Sequence, residues 1–285
     1  IYTCYVMDAK RMLEGVVTVK DLLMSDYEVK MEDIMDTNVI KAVTTDDKEE
    51  IADLFNKYDL LSLPVVDHEN RLVGIVTIDD AVDVMEEEAT EDFEKMAAMH
   101  PSEKPYLKTG VFELAKNRIV WLLVLMISSM LTGGILTRYE DAFKVMPLLV
   151  SFVPMLTDTG GNAGSQSSTM IIRGMTIGEI ASSDILKVIW KEARVSVIVG
   201  IILGAVNFVR LVVQYPGQPL VALTVVLALF ATVFVAKVIG GMLPIAAKKL
   251  HLDPAIMAAP LITTIVDAVS LVIYFQIAVE LLHIK

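Results

Sequence analysis

Cysteine and histidine are nearly missing from this chain: one and four among 285 residues. A single thiol, Cys4, forms no intrachain disulfide, which fits a reducing compartment, and its expected role is a small buried hydrophobe. Basic residues are scarce at the front. Residues 1–104 hold 26 acids against 10 bases, a balance of −16, whereas residues 105–285 hold 10 against 14, a balance of +4. A surface at −16 repels nucleic acid and suits cations. Ile1–Ala9 lacks the charged region of a signal peptide. No nucleophile–base pair, P-loop or compact metal-ligand motif is visible, so an enzyme is not expected.

Apolar residues are abundant instead, at 54% with a mean hydropathy of +0.58. They concentrate in five runs at about 118–137, 145–172, 186–213, 219–247 and 254–282, each meeting the ~20 residues that span a bilayer. If the acidic front is cytoplasmic, the inner flanks carry ten Lys/Arg and the outer flanks four: Arg138, Lys144, Arg210 and Lys285. That bias predicts residues 1–117 inside and the C-terminus outside.

The front repeats itself at an offset of 59 residues: Val6, Asp8, Leu13, Gly15, Thr18 and Asp21 fall on Val65, Asp67, Leu72, Gly74, Thr77 and Asp80. Each copy reads as a β-run, a polar turn, a second β-run after Gly and a helix opening at T-x-x-D. Between the copies, Ile51, Leu54, Phe55 and Tyr58 have the spacing of an amphipathic helix. Such a tandem resembles a CBS-domain pair. The second copy reads as whole over roughly 37–85, and the first lacks its opening helix and strand. The resemblance implies a regulatory sensor that takes ATP or another adenine nucleotide at Thr18, Asp21, Thr77 and Asp80; the plainer alternative is that these residues only cap helices.

After the repeat, Asp80, Asp83, Glu87, Glu91 and Glu94 form one carboxylate stripe on a helix. No basic residue lies between Asp79 and Glu94. A solvated face is the simple reading, but like charges at this spacing repel, and divalent cations relieve that repulsion.

Polar groups inside apolar runs are the sharper signal. The second run contains "TDTGGNAGSQSS", with Asp158, Asn162, Ser165, Gln166 and Ser167; the fifth holds Thr263, Thr264 and Asp267. These are hard oxygen donors with no His or Cys, which argues against zinc, copper and iron. Residue types alone leave Mg2+, Mn2+, Co2+ and Ca2+ open. Lys237 in the fourth run is expected to snorkel or to form a structural pair.

The CBS pair, the acidic helix, "TGGNAGSQSS" and "DPAIMAAPLITTIVDAVSLVIYF" together resemble the MgtE family of magnesium channels and transporters, over essentially the whole chain. The implied fold is an α/β CBS pair (1–85, first unit truncated), an acidic connecting helix and linker (86–117) and an all-α five-helix transmembrane domain (118–285). The resemblance also implies a helical N-terminal domain ahead of the CBS pair, which this stretch of sequence is expected to lack. The resemblance makes Asp267 the pore carboxylate for hydrated Mg2+ on the axis of a homodimer, with Asn162, Thr263, Thr264, Asp158 and Gln166 along the same path. Regulatory Mg2+ is implied at Asp47, Glu49, Asp59, Asp80, Asp83, Glu88 and Glu91, holding the channel closed. Two departures from the family pattern are Ser270, where Gly is usual, and Asp158, where members vary. A Na+- or H+-coupled exchanger using Asp158 and Lys237, and a membrane-tethered nucleotide sensor without transport, remain alternatives.

Overall fold

A computed structural model describes residues 2–102 and 104–284. It divides into two compact units, one ending at Glu91 and one beginning at Asp92. Lys285, counted above among the outer cations, lies outside the described residues.

In the first unit, β1 (Thr3–Met7) and β2 (Leu13–Thr18) pair antiparallel and lead into α1 (Val19–Met24) and α2 (Met31–Ile34). A second sheet has the order β3 (Ala42–Val43), β4 (Ser62–Val66), β5 (Leu72–Thr77), with β3 parallel to β4 and β4 antiparallel to β5. Helix α3 (Lys48–Tyr58) joins β3 to β4, and α4 (Ile78–Met96) follows β5.

The 59-residue offset is exact in three dimensions. It maps β1 onto β4, β2 onto β5, and the β-bulge at Val6/Met7 onto the one at Val65/Val66. Asp8 accepts from the amides of Lys10 and Met12, as Asp67 does from Glu69 and Arg71. The two turns also bond each other as equivalents: Leu13 N donates to Asn70 O at 3.0 Å and Leu72 N to Arg11 O at 2.8 Å. Two half-sheets are thereby stitched by reciprocal backbone bonds, which is how a duplicated unit too small to close its own edges is stabilised.

Arg11 and Asn70 occupy matching left-handed positions, with φ of 68° and 64°. Asn adopts that region at less cost than Arg. Arg11→Asn is therefore expected to stabilise the first unit by about 0.5–1 kcal/mol, read as a higher midpoint for its thermal transition.

Phe55, Ala42, Leu63 and Ala81 form the core of the second half-module, with Ile51 and Leu54 partly buried against them. Tyr58 departs from the expected apolar face. It is 45% exposed, with the Lys57 ammonium 5.1 Å from its ring centroid, because the chain leaves the helix at Asp59 in a left-handed cap. Cys4 is partly rather than fully buried.

The second unit is helical: α5 (Val111–Arg138), α6 (Glu140–Val145), α7 (Val153–Thr176), α8 (Ile185–Gln214), α9 (Pro219–Lys249) and α10 (Ala259–Leu281). Among the described residues α5, α8 (with the turn before it), α9 and α10 are long and apolar enough to cross a membrane. Helix α7 fails on composition, not length: its 24 residues reach about 36 Å. The second apolar run is also not one helix. A 3₁₀ stretch covers Pro147–Phe152 before α7 begins beside Pro154, since proline ends one helix and starts another.

Helices α7, α9 and α10 pack mutually, and α8 lies on α9. Leu156, Leu229, Val233, Val266, Leu271, Tyr274 and Phe275 form their shared core. The buried Tyr274 hydroxyl donates to the Leu149 carbonyl at 2.9 Å, fixing the 3₁₀ stretch to α10.

Candidate functional site

Helix α7 has two unlike faces. Gly160, Gly161, Gly164, Ser167 and Ser168 are buried, whereas Asp158, Asn162 and Gln166, four residues apart, are exposed. Four-residue spacing stacks side chains in one stripe. The polar insert is thus sorted: its small residues meet other helices and its large donors point away from them.

Close approach explains the glycines. A Cβ on Gly240 of α9 would collide with the backbone carbonyl of Gly164, and one on Gly161 would lie 2.9 Å from the Thr263 methyl. Pro244 has no N–H to return to the Gly240 carbonyl, so the crossing sits where α9 already lacks one internal bond.

On α10, Asp267 is half-buried and within electrostatic reach of Asp158. The Thr263 and Thr264 hydroxyls both donate to the Pro260 carbonyl at 3.0 Å, leaving their oxygens as acceptors. Asp158 and Asp267 therefore lie near one another, with the Asn162 and Gln166 carboxamides in the exposed stripe of α7 and two hydroxyl oxygens a turn before Asp267 on α10. That donor set suits a hard cation taken with its water. Ser270, the position noted for departing from Gly, is buried with its Oγ 3.1 Å from where a Gly160 Cβ would stand. Among the described residues, the buried hydroxyls of Ser165 and Thr232 have no hydrogen-bond partner.

Lys237 does not snorkel. It is 6% exposed and donates to Ser167 Oγ at 3.4 Å, while Ser167 donates to Glu192 Oε2 of α8 at 2.6 Å. Among the described residues no bond joins it to Asp158. Sequence reasoning passed over Glu192. The available signal was an acid inside the third apolar run.

The acids of the first unit and of α4 are dispersed. Asp47 caps α3, accepting from Glu49 N at 2.8 Å, and Asp59 is that helix's left-handed C-cap. Lys48 of α3 reaches Glu87 at 3.3 Å and Glu88 at 3.0 Å, and these bonds hold the Lys48 ammonium above its usual range. The stripe on α4, bare of local cations in sequence, thus receives one through tertiary contact. Glu94 accepts from Ser102 N at 2.7 Å, and Lys95 pairs with Asp253 at 2.6 Å. Among the described residues, no three His, Cys, Asp or Glu converge as a metal cluster, so Asp80, Asp83, Glu88 and Glu91 form no cage within one chain.

The first T-x-x-D turn is a helix cap, and the second repeats its Thr–Asp bond. Thr18 Oγ1 donates to Asp21 Oδ2 at 2.5 Å in a full capping box, and Thr77 Oγ1 to Asp80 Oδ2 at 2.9 Å. The Thr18 hydroxyl, and then its amide, hold the exposed Asp21 carboxyl below the usual carboxylate range.

Residues 153–277 match the MgtE family model, described as a divalent cation transporter, and residues 31–87 match the CBS domain. The magnesium transporter MgtE of Thermus thermophilus is 39% identical over 99% of this chain and 62% of its own length. That of Bacillus subtilis is 38% identical over 98% of this chain and 61% of its length. The chain therefore spans about three fifths of the relatives it matches. A crystal structure of the cytosolic domain of the Mg2+ channel MgtE in complex with ATP is 48% identical over 30% of this chain and 34% of that one, with a TM-score of 0.29. The paired half-modules at the front and the α7–α10 core behind them have one common source: this chain belongs to the MgtE family.

Proposed function

We propose that the chain conducts Mg2+ across the cell membrane, as a homodimer whose path is lined by Asp267, Asn162, Thr263, Thr264, Asp158 and Gln166. The observation that carries this reading is the exposed stripe on α7. In hydrocarbon each unsatisfied polar group costs several kcal/mol, so a carboxylate and two carboxamides in a row require water or protein in front of them. A second copy across a twofold axis supplies both, and it doubles Asp267. Five spans, including α7, then cross the bilayer, with residues 1–117 in the cytoplasm. Both relatives reported above are named magnesium transporters, which supports Mg2+ over Mn2+, Co2+ or Ca2+ as cargo. Mg2+ dehydrates reluctantly, so the path takes it largely hydrated. Two carboxylates bind it firmly enough to enter and weakly enough to leave.

Regulation follows from charge. Internal Mg2+ at Asp47, Glu49, Asp59, Asp80, Asp83, Glu88 and Glu91 neutralises a repulsive surface and favours the closed state, which shifts the population by differential affinity. With no three of these acids converging inside one chain, such ions would bridge surfaces through their waters. An adenine nucleotide at Thr18, Asp21, Thr77 and Asp80 is the further element of this reading. It must compete with the Thr–Asp bonds already made there.

The test is Mg2+ uptake into proteoliposomes without a Na+ or H+ gradient, with internal Mg2+ raised stepwise. Uptake is expected at negligible internal Mg2+ and is expected to fall as internal Mg2+ rises. A strict need for a counter-ion gradient would replace the channel by an exchanger. Full activity at high internal Mg2+ would remove the gating role of the acids.

A further inference from the structure

Three helices meet at one level of the second unit. On α9, Lys237, Gly240 and Gly241 share a face by their spacing of three and four residues. Gly240 admits the α7 backbone at Gly164, and Gly241 admits Glu192 of α8, whose Cγ lies 3.0 Å from where a Gly241 Cβ would stand. Lys237 reaches the Ser167 hydroxyl between them, and Ser167 passes its own proton to Glu192. A hydroxyl has one proton to give and lone pairs to accept with. The directions of donation are therefore consistent: ammonium to hydroxyl, hydroxyl to carboxylate.

Such a bridge has a task here because the middle turns of α7, which carry the polar stripe, offer little else to define their rotation. Large buried side chains stand only toward the ends, at Leu156 and at Ile171, Ile172 and Met175, and between them the buried side is Gly160, Gly161, Ala163, Gly164, Ser167 and Ser168. Small residues allow close approach, but they supply few knobs that lock a helix about its axis. One residue of rotation turns the face by about 100°, enough to swing Asn162 and Gln166 into the wall. Directed polar bonds supply the missing restraint. One is Ser168 Oγ to the Met257 carbonyl at 2.5 Å. The other is the bridge, which also balances two charges inside a low-dielectric domain.

We infer that Lys237 and Glu192, joined through Ser167, are positioning residues that hold the polar stripe of α7 toward the ion path. This rests on the path proposed above. The only native cysteine, Cys4, makes a direct test practical. In a Cys4→Ser chain in proteoliposomes, Gln166→Cys is labelled with a charged methanethiosulfonate, alone and with Lys237→Met, Glu192→Gln or both. Labelling is expected in the parent. Each single substitution is expected to slow it about tenfold per folded protein, since it strands either the buried Lys237 ammonium or the partly buried Glu192 carboxylate. The same single substitutions in the Gln166 chain are expected to change the Mg2+-to-Ca2+ rate ratio about fivefold. The double substitution, which removes both charges together, is expected to recover labelling to within about threefold of the parent. Equal labelling and equal ion preference in all variants would overturn the positioning role, as would single variants that only reduce the amount of folded protein. No labelling in the parent would overturn the path itself, and the inference with it.

Discussion

Asp267→Asn is expected to lower Mg2+ flux per folded protein roughly thirtyfold and to raise the KM for Mg2+. Two unit charges 4 Å apart at an effective dielectric of 20 attract by about 4 kcal/mol, and a divalent ion doubles that. The first-shell water of Mg2+ stands between the charges, and solvent in the path screens them. What survives is about 2 kcal/mol, a factor of roughly thirty. The sign depends on whether binding or release limits conduction. With one half-buried acid per chain and the Thr263 and Thr264 hydroxyl oxygens a turn before it, the site falls well short of a cage, so weaker binding slows entry. Asp158, more exposed, is expected to cost less than about fivefold when made Asn. Flux measured over a range of external Mg2+ separates the two: a change in maximal rate alone, with KM intact, would remove Asp267 as the ion site.

What was legible beforehand is what local pattern determines. The 59-residue repeat survives into strand register and bulges because each depends on residues close in sequence, whereas the reciprocal turn bonds join Leu13 to Asn70 and Leu72 to Arg11 across the two copies and needed the fold. Helix α3 was readable from its apolar spacing except at Tyr58, where a left-handed C-cap turned the last apolar residue outward. The polar insert announced a site, but its sorting into a buried small-residue face and an exposed stripe required knowing which helices lie beside it. Lys48 meeting Glu87 and Glu88, and Glu192 meeting Ser167, join residues 39, 40 and 25 positions apart. No periodicity encodes such pairs. Of the two expectations for Lys237, snorkelling and a structural pair, the structure holds the second, and its partner was hidden for the same reason. A lysine in an apolar run seeks water unless another helix brings it a partner, and here α7 and α8 do.

Gly240→Ala is expected to destabilise the second unit by about 3 kcal/mol or more and to abolish most transport. The added methyl meets not a side chain but the carbonyl oxygen, carbonyl carbon and Cα of Gly164. No rotamer change relieves that contact, so the two helices must separate. Separation loosens the neighbouring contacts of the same stripe, where Gly164 faces Ile262 and Gly160 faces Thr232 and Val266. In a membrane domain, helix association depends on this packing more than on water expulsion, so the loss is not recovered elsewhere. For a unit of this size, about 3 kcal/mol lowers the melting temperature by roughly 6–12 °C. Gly134→Ala on α5 is the control, with nothing within 4 Å of its Cβ position, and is expected to be neutral or slightly stabilising because Ala favours helix. Gly204 lies between these cases: its Cβ would stand 3.2 Å from the Val226 Cγ1, a side-chain atom that can yield. A graded series of melting temperatures in detergent, with Gly240→Ala lowest, Gly204→Ala intermediate and Gly134→Ala unchanged, is what backbone contact between α7 and α9 requires. Equal melting for all three would mean that α7 and α9 do not touch at Gly164, and the stripe on α7 would lose the wall that holds it.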